Sequence, residues 1–180
     1  MKPEDIPEIK LRALEPEDLD VLYKIENDTK LWNVGVTNVP YSRFALHNYI
    51  ADSLNDIYAD KQLRLMIENN EHEVVGIIDL VNFDPRHQRA EVGVVIANSY
   101  RRKGYATAAI AKLKDYARNI LCLHQLYALV ADDNETCIEL LSGCGFVRKA
   151  KLSEWLHRGE AYCDAALMQC LLGKSPVSVG

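Results

Sequence analysis

Between Arg89 and Ile120 the spacing of apolar residues changes once, and it changes at a glycine. The stretch "RAEVGVVIA" (89–97) is an almost unbroken apolar run of strand length. From Gly104 onward Ala106, Ile110, Leu113, Ala117 and Ile120 recur every three or four residues, which predicts a helix of about four turns. The junction reads Arg101-Arg102-Lys103-Gly104-Tyr105-Ala106-Thr107. Three cations at a helix start oppose the macrodipole, by roughly a few tenths of a kcal/mol each, and a merely solvated helix start would carry Asp or Glu instead. The unpaired N–H groups of a first turn, flanked by guanidinium and ammonium groups, suit an anion. Gly104 and Ala106 lack bulk, so the backbone can come close to it. The segment therefore reads as a cradle for a diphosphate, although it is neither a P-loop nor a G-x-G-x-x-G turn.

The rest of the chain alternates helices and strands around this unit. "EIKLRAL" (8–14) predicts a first strand and "EPEDLDVLYKIEN" a helix with Pro16 near its start. A second helix is expected over 40–60, capped by Ser42, with a broad apolar face of Phe44, Leu46, Tyr49, Ile50, Leu54, Ile57 and Tyr58. The irregular segment between the two helices is of the kind that lines sites. "LRLMIE" and "EVVGIIDLVNFD" flank a polar turn and predict a hairpin. After the long helix come a strand "HQLYALVA", a short helix within "DNETCIELLSGCGF", and a closing hairpin around "HRGE". With 180 residues, 48% of them hydrophobic, and no linker or repeat, one α+β domain over 1–173 is expected, with a disordered tail over 174–180.

Charge and special residues exclude several classes. A net charge of −5 argues against nucleic acid and weakly favours a cationic substrate. Five cysteines without a C-x-x-C pair suggest neither a disulfide framework nor structural zinc, and five histidines without ligand spacing suggest no catalytic metal. The first ten residues lack a leader's apolar segment and no run approaches a membrane span, so a cytoplasmic protein with no membrane partner is expected.

The junction Arg101-Arg102-Lys103-Gly104-Tyr105-Ala106 fits the pattern [RQ]-x-x-G-x-[GA] between a central strand and a long helix. Asn134 follows the next strand and leads through a short helix to Gly145-Phe146. Together these resemble the GNAT superfamily of acetyl-CoA-dependent N-acetyltransferases over about residues 8 to 172. "LRALEPEDLDVLYKIEND", "RAEVGVVI" and "GEAYCDAALM" resemble its ribosomal-protein and spermidine N-acetyltransferase branch. The resemblance implies a mixed, splayed central sheet with helices on both faces. It implies acetyl-CoA as acetyl donor, with its pantetheine arm pairing with backbone of Val94 and Ile96, its pyrophosphate in the cradle at 101–107, and Asn134 bonded to the arm.

The implied reaction is direct attack of a primary amine on the thioester. An aliphatic amine has a pKa of about 10, so a base must take its proton at neutral pH. Glu91 matches the position of a family glutamate that acts through water, with a solvated or ion-paired role beside Arg12 or Arg89 as the alternative. Glu26 and Asp28, at the end of the first helix, are candidates for a substrate ammonium, and Trp32 and Tyr41 for the wall of its pocket. Many relatives carry a tyrosine seven residues after the Asn to protonate the leaving thiolate; here that position is Leu141. Cys137, Ser142 and Cys144 read as small packing or cap residues. Tyr127 also reads as packing, with a phenol near the thioester as the alternative. Trp155 and Tyr162 are placed either at a subunit contact of a homo-oligomer or on the core. The acceptor is expected to be a polyamine such as spermidine; a protein or peptide N-terminus is the alternative, and a CoA-binding module without catalysis is a third reading.

Overall fold

A computed structural model describes residues 6–29, 39–53 and 56–173. In chain order the elements are β1 (Ile9–Ala13), α1 (Leu19–Glu26, entered through a 3-10 turn at Pro16–Asp18), α2 (Arg43–Asp52), α3 (Ile57–Asp60), β2 (Leu63–Asn69), β3 (Val74–Asp84), β4 (Arg89–Ile96), α4 (Tyr105–Asn119), β5 (Gln125–Ala131), α5 (Glu135–Gly143), β6 (Val147–Arg158) and β7 (Ala161–Leu171). Seven strands form one sheet in the order β1-β2-β3-β4-β5-β7-β6. Every neighbouring pair is antiparallel except β4 and β5.

Strand alternation assigns the two faces. Ile67 of β2 and Ile78 and Leu80 of β3 pack with Ala109, Ile110, Leu113 and Ala117 of α4 and Leu141 of α5. Their neighbours in sequence, Met66 and Ile77, point the other way and meet Leu22 and Ile25 of α1 and Leu46 of α2. Helices thus cover both faces, as expected. The period of α4 is the reason it lies flat: its buried positions form one stripe.

An ion network ties the first strand to the first helix. Arg12 grips both oxygens of Asp18 (2.7 and 2.8 Å) and reaches Glu68 of β2 at 2.5 Å. Burial pushes the Asp18 carboxyl upward, but the Arg12 guanidinium and the Glu15 N–H outweigh it and hold the group below the usual carboxylate range.

Two expectations need correction. The segment 40–60 is not one helix. Ser42 caps α2 through Ala45 N (3.0 Å), but α2 ends at an extended Ser53, and Asp56 begins α3 by accepting from Tyr58 N at 2.9 Å. A second good cap inside an apolar pattern restarts the helix. The apolar face is correspondingly narrow: Leu46 and Ile57 are buried, whereas Phe44 is 73% and Tyr58 56% exposed. The irregular segment with Trp32, and the tail from 174, lie outside the described residues. Among the described residues, no helix is long and apolar enough to cross a membrane.

Candidate active site

The sheet opens where its one parallel pair comes apart. β4 and β5 pair only through Arg89–Gln125, Ala90–Leu126 and Glu91–Tyr127. Both strands then continue, to Ile96 and Ala131, without pairing to each other. Among the described residues, the β5-facing edge of β4 from Val92 onward has no strand partner. Ala97 N donates to Val75 O at 2.9 Å, so by antiparallel alternation Val95 and Gly93 turn their backbone groups toward β3. Val92, Val94 and Ile96 turn theirs into the cleft; the Ile96 carbonyl accepts from Arg101 Nε at 3.0 Å. Val94 and Ile96 therefore turn backbone groups toward the open cleft, independently of their side chains.

Both strands run into helices at this same end of the sheet. After β4 comes the cradle. Gly104 caps α4 with φ 86° and ψ −4°, a left-handed conformation that costs an L side chain about 1 kcal/mol and glycine nothing comparable. Arg102 also has positive φ, at 61°. Among the described backbone bonds, none is donated by the amides of Arg102, Lys103 or Gly104, and helix geometry leaves those of Tyr105, Ala106 and Thr107 free. Arg101, Arg102 and Lys103 are exposed, while Gly104 through Thr107 are half-buried. Lys103 Nζ stands 5.3 Å over the Tyr100 ring, which meets Tyr105 edge-on.

After β5, Asn134 caps α5, its side-chain oxygen accepting from Cys137 N at 3.2 Å. That bond uses the oxygen and leaves the side-chain NH2 to donate elsewhere. The cleft is thus flanked by two helix N-termini at the carboxyl ends of two diverging parallel strands, the position at which open α/β sheets hold ligands.

Glu91 and Tyr127 form the last paired rung before the strands part. Glu91 lies on the sheet face of Gly93 and Val95, and its carboxylate accepts from Asn82 Nδ2 at 2.8 Å. Neither of the ion pairs considered from sequence forms. Arg12 is engaged by Asp18 and Glu68, and Arg89 faces Asp84 at 3.4 Å. Asn82 reaches Glu91 because β3 is irregular there: the β3–β4 register shifts between Val81 and Asp84, and Asn82 has φ 51°. Tyr127 is half-buried, and the same Asn82 side chain stands near its phenol.

On the same face Arg64 of β2 makes two bonds to Asp79 of β3 (3.0 and 2.8 Å) and a third to Glu26 of α1 at 2.5 Å. Asp79 lies opposite Gly93 of β4. Glu26 is thereby fixed at the helix end, sharing the Arg64 guanidinium with Asp79. Asp28 accepts from Asn98 Nδ2 at 3.2 Å, just before the cradle. Tyr41 is tied to Asn27 through its backbone (2.8 and 3.1 Å) and packs against the α1–α2 cluster. Leu141 is 2% exposed and belongs to the core on the opposite face. Cys137 and Cys144 pack against the same core, and Ser142 is exposed. Trp155 and Tyr162 are 56% and 64% exposed, which places them on the surface and not in the core. Among the described residues no cluster of His, Cys, Asp and Glu could hold a metal ion.

Residues 8–147 match the model of the acetyltransferase (GNAT) domain family. The spermidine N(1)-acetyltransferase of Escherichia coli (strain K12) is 30% identical over 164 residues, which are 89% of this chain and 84% of that protein. A crystal structure of spermidine N-acetyltransferase from Vibrio cholerae in complex with CoA and spermine is similar with a TM-score of 0.82 at 28% identity, covering 91% of this chain and 95% of that one. A dodecameric structure of the Vibrio cholerae protein in an intermediate state gives a TM-score of 0.76 at 28% identity, with 91% and 94% covered.

Proposed function

The chain belongs to the GNAT acetyltransferase family and is an acetyl-CoA-dependent N-acetyltransferase, and from that premise we propose that it acetylates a primary amine of a polyamine such as spermidine. The observation that carries the site assignment is the parted edge of β4, which leads from the Glu91–Tyr127 rung straight to the cationic start of α4. The donor set fits the donor molecule. Amides of Gly104 through Thr107, with Arg101, Arg102 and Lys103, meet a pyrophosphate; Val94, Ile96 and Asn134 bond an amide-bearing arm. Acetyl-CoA supplies the acetyl thioester and accepts the electron pair of the broken C–S bond.

The chain's own residues then bind, orient and move protons. An arriving polyamine is a cation, and it meets a face carrying Glu91, Glu26, Asp79 and Asp28 on a chain of net charge −5. Glu26 and Asp28, with Trp32, are the substrate-binding residues in this reading. Glu91 takes the proton of the ammonium, directly or through a water, to release the attacking lone pair. Asn82 fixes the orientation of the Glu91 carboxylate by its 2.8 Å bond.

The surrounding assignments follow the same reading. The core runs from Ile9 to Leu172, which supports a single domain to about residue 173. The protein acts in the cytoplasm. Exposed Trp155 and Tyr162 lie on β6 and β7, and β6 is an outer strand of the sheet, a surface suited to a homo-oligomer.

Thiol release from acetyl-CoA, measured with spermidine, spermine, small monoamines and short peptides in parallel, tests the proposal. Release with the polyamines above all others is expected. Release with peptides alone would replace the acceptor by a protein N-terminus, and CoA binding without release on any amine would reduce the chain to a binding module.

A further inference from the structure

In a thioester aminolysis the sulfur leaves as a thiolate, and the position from which many relatives deliver a proton is occupied here by Leu141. That residue is 2% exposed in the core of the α4–α5 face, with no polar atom to offer. The Glu91–Tyr127 rung lies on the other face, where the cleft begins. Cross-strand pairing puts Glu91 and Tyr127 side by side, and Asn82, which donates to the Glu91 carboxylate at 2.8 Å, stands near the Tyr127 phenol. An arm lying along Val94 toward the rung ends beside these two side chains. We propose that Tyr127 is the proton donor to the departing sulfur, in place of a residue at position 141; this rests on the acetyl-transfer reading above.

The amine nitrogen forms its bond to the carbonyl carbon, the C–S bond breaks with its electron pair on sulfur, and the Tyr127 hydroxyl proton passes to that sulfur. The proton lost by the amine, taken by Glu91, returns to the phenolate through a water. No further reactant is needed.

The surroundings of Tyr127 keep it a donor. Burial first, and then the charge of Glu91, push the phenol above its ordinary value; Arg89 and the nearby Asn82 amide pull it down by less. Of the charged groups around it, Arg89 on β4 and Asp84 on β3 face each other at 3.4 Å and offset one another. Across the sheet the neighbour on β7 is Gln169, which is neutral and bonded to Gln125. Glu91 therefore remains the dominant local charge.

The experiment compares the parent with Tyr127→Phe, which keeps the ring and its packing. The thiol of bound CoA is titrated by the ultraviolet absorbance of its thiolate, a readout that requires no acceptor. A phenol donating to the sulfur stabilises the thiolate, so Tyr127→Phe should raise the pKa of the bound thiol by about one unit. With the acceptor identified by the panel above, kcat should fall by roughly 10²-fold while KM for acetyl-CoA stays within about twofold. The parent's rate should decline at alkaline pH as the phenol ionises, and the variant should lack that decline. An unchanged thiol pKa in a variant that still binds CoA overturns the role of Tyr127 and leaves the acetyl-transfer reading standing. A parent that binds no CoA overturns both. A fall in kcat that is equal at every pH, with the thiol pKa unmoved, assigns Tyr127 to packing and also overturns the proposal.

Discussion

Replacing Gly104 separates two effects that the cradle combines, backbone strain and access to the amides. At φ 86° and ψ −4° any L side chain raises the energy of the fold by about 1 kcal/mol. For a chain of this size that lowers the melting temperature by about 2–4 °C. Alanine should show this and little else. A leucine adds a branched group at the mouth of the first turn of α4, where the amides of Tyr105, Ala106 and Thr107 have no helical acceptor. Hydrogen bonds from such amides to a charged phosphate contribute about 1.5–3 kcal/mol each. Displacing the anion from even one or two of them should weaken binding by about 3 kcal/mol, or roughly 10²-fold in Kd. Calorimetry with CoA on the parent, Gly104→Ala and Gly104→Leu, with thermal melts on the same samples, measures both quantities. The expected pattern is an equal melting shift in the two variants with a large loss of affinity in the leucine variant alone. A leucine variant binding CoA within twofold of the parent would refute the cradle, and equal losses for alanine and leucine would show that the shape of the turn, and not access, governs binding.

Further outcomes are expected at three other positions. Glu91→Gln should lower kcat by about 10²-fold with folding intact, most strongly below the pKa of the amine; a pH–rate profile parallel to the parent's would remove Glu91 as the base. A Cβ on Gly76 would lie 2.2 Å from the Val95 carbonyl oxygen and 2.9 Å from Ile96 Cδ1. Because the first of these is backbone of β4, Gly76→Ala should destabilise the domain by about 1–3 kcal/mol in urea titration, and an unshifted midpoint would contradict this packing. The folded-state value of Asp18 lies below its unfolded one, so its contribution is present above the unfolded pKa and is lost as pH falls through the folded value. Asp18→Asn should therefore destabilise the protein by about 2 kcal/mol at neutral pH, with the gap to the parent closing in acid; a gap that persists below pH ~2 would argue against the linkage.

The parts of the site that were legible in the sequence are those with local causes. A helix start with cations and a glycine needs only its own neighbours to be seen, and α4 does begin at Gly104. The hydrophobic period located α4 and β4 for the same reason. The parting of β4 from β5 is not local: it depends on how many rungs two strands form across an intervening helix, and no residue in "EVGVVI" encodes that. Asn82 escaped notice because its direction comes from the register shift in β3. Its only signal was an asparagine, a residue that tolerates positive φ, inside an apolar strand. Tyr127 reads as packing because an aromatic in a strand usually is, and its pairing with Glu91 is set by a strand register that the sequence does not show. The break in 40–60 was hidden by an apolar pattern that continued past Asp56, the residue that caps the second helix.

The most direct measurement of the central claim is a crystal structure of the protein with CoA. The pyrophosphate is expected within hydrogen-bond distance, about 3 Å, of the amides from Gly104 to Thr107, the arm paired with Val94 along the open edge of β4, and the sulfur beside Glu91 and Tyr127. CoA bound anywhere other than between β4 and β5, or a sulfur on the Leu141 face of the sheet, would contradict it.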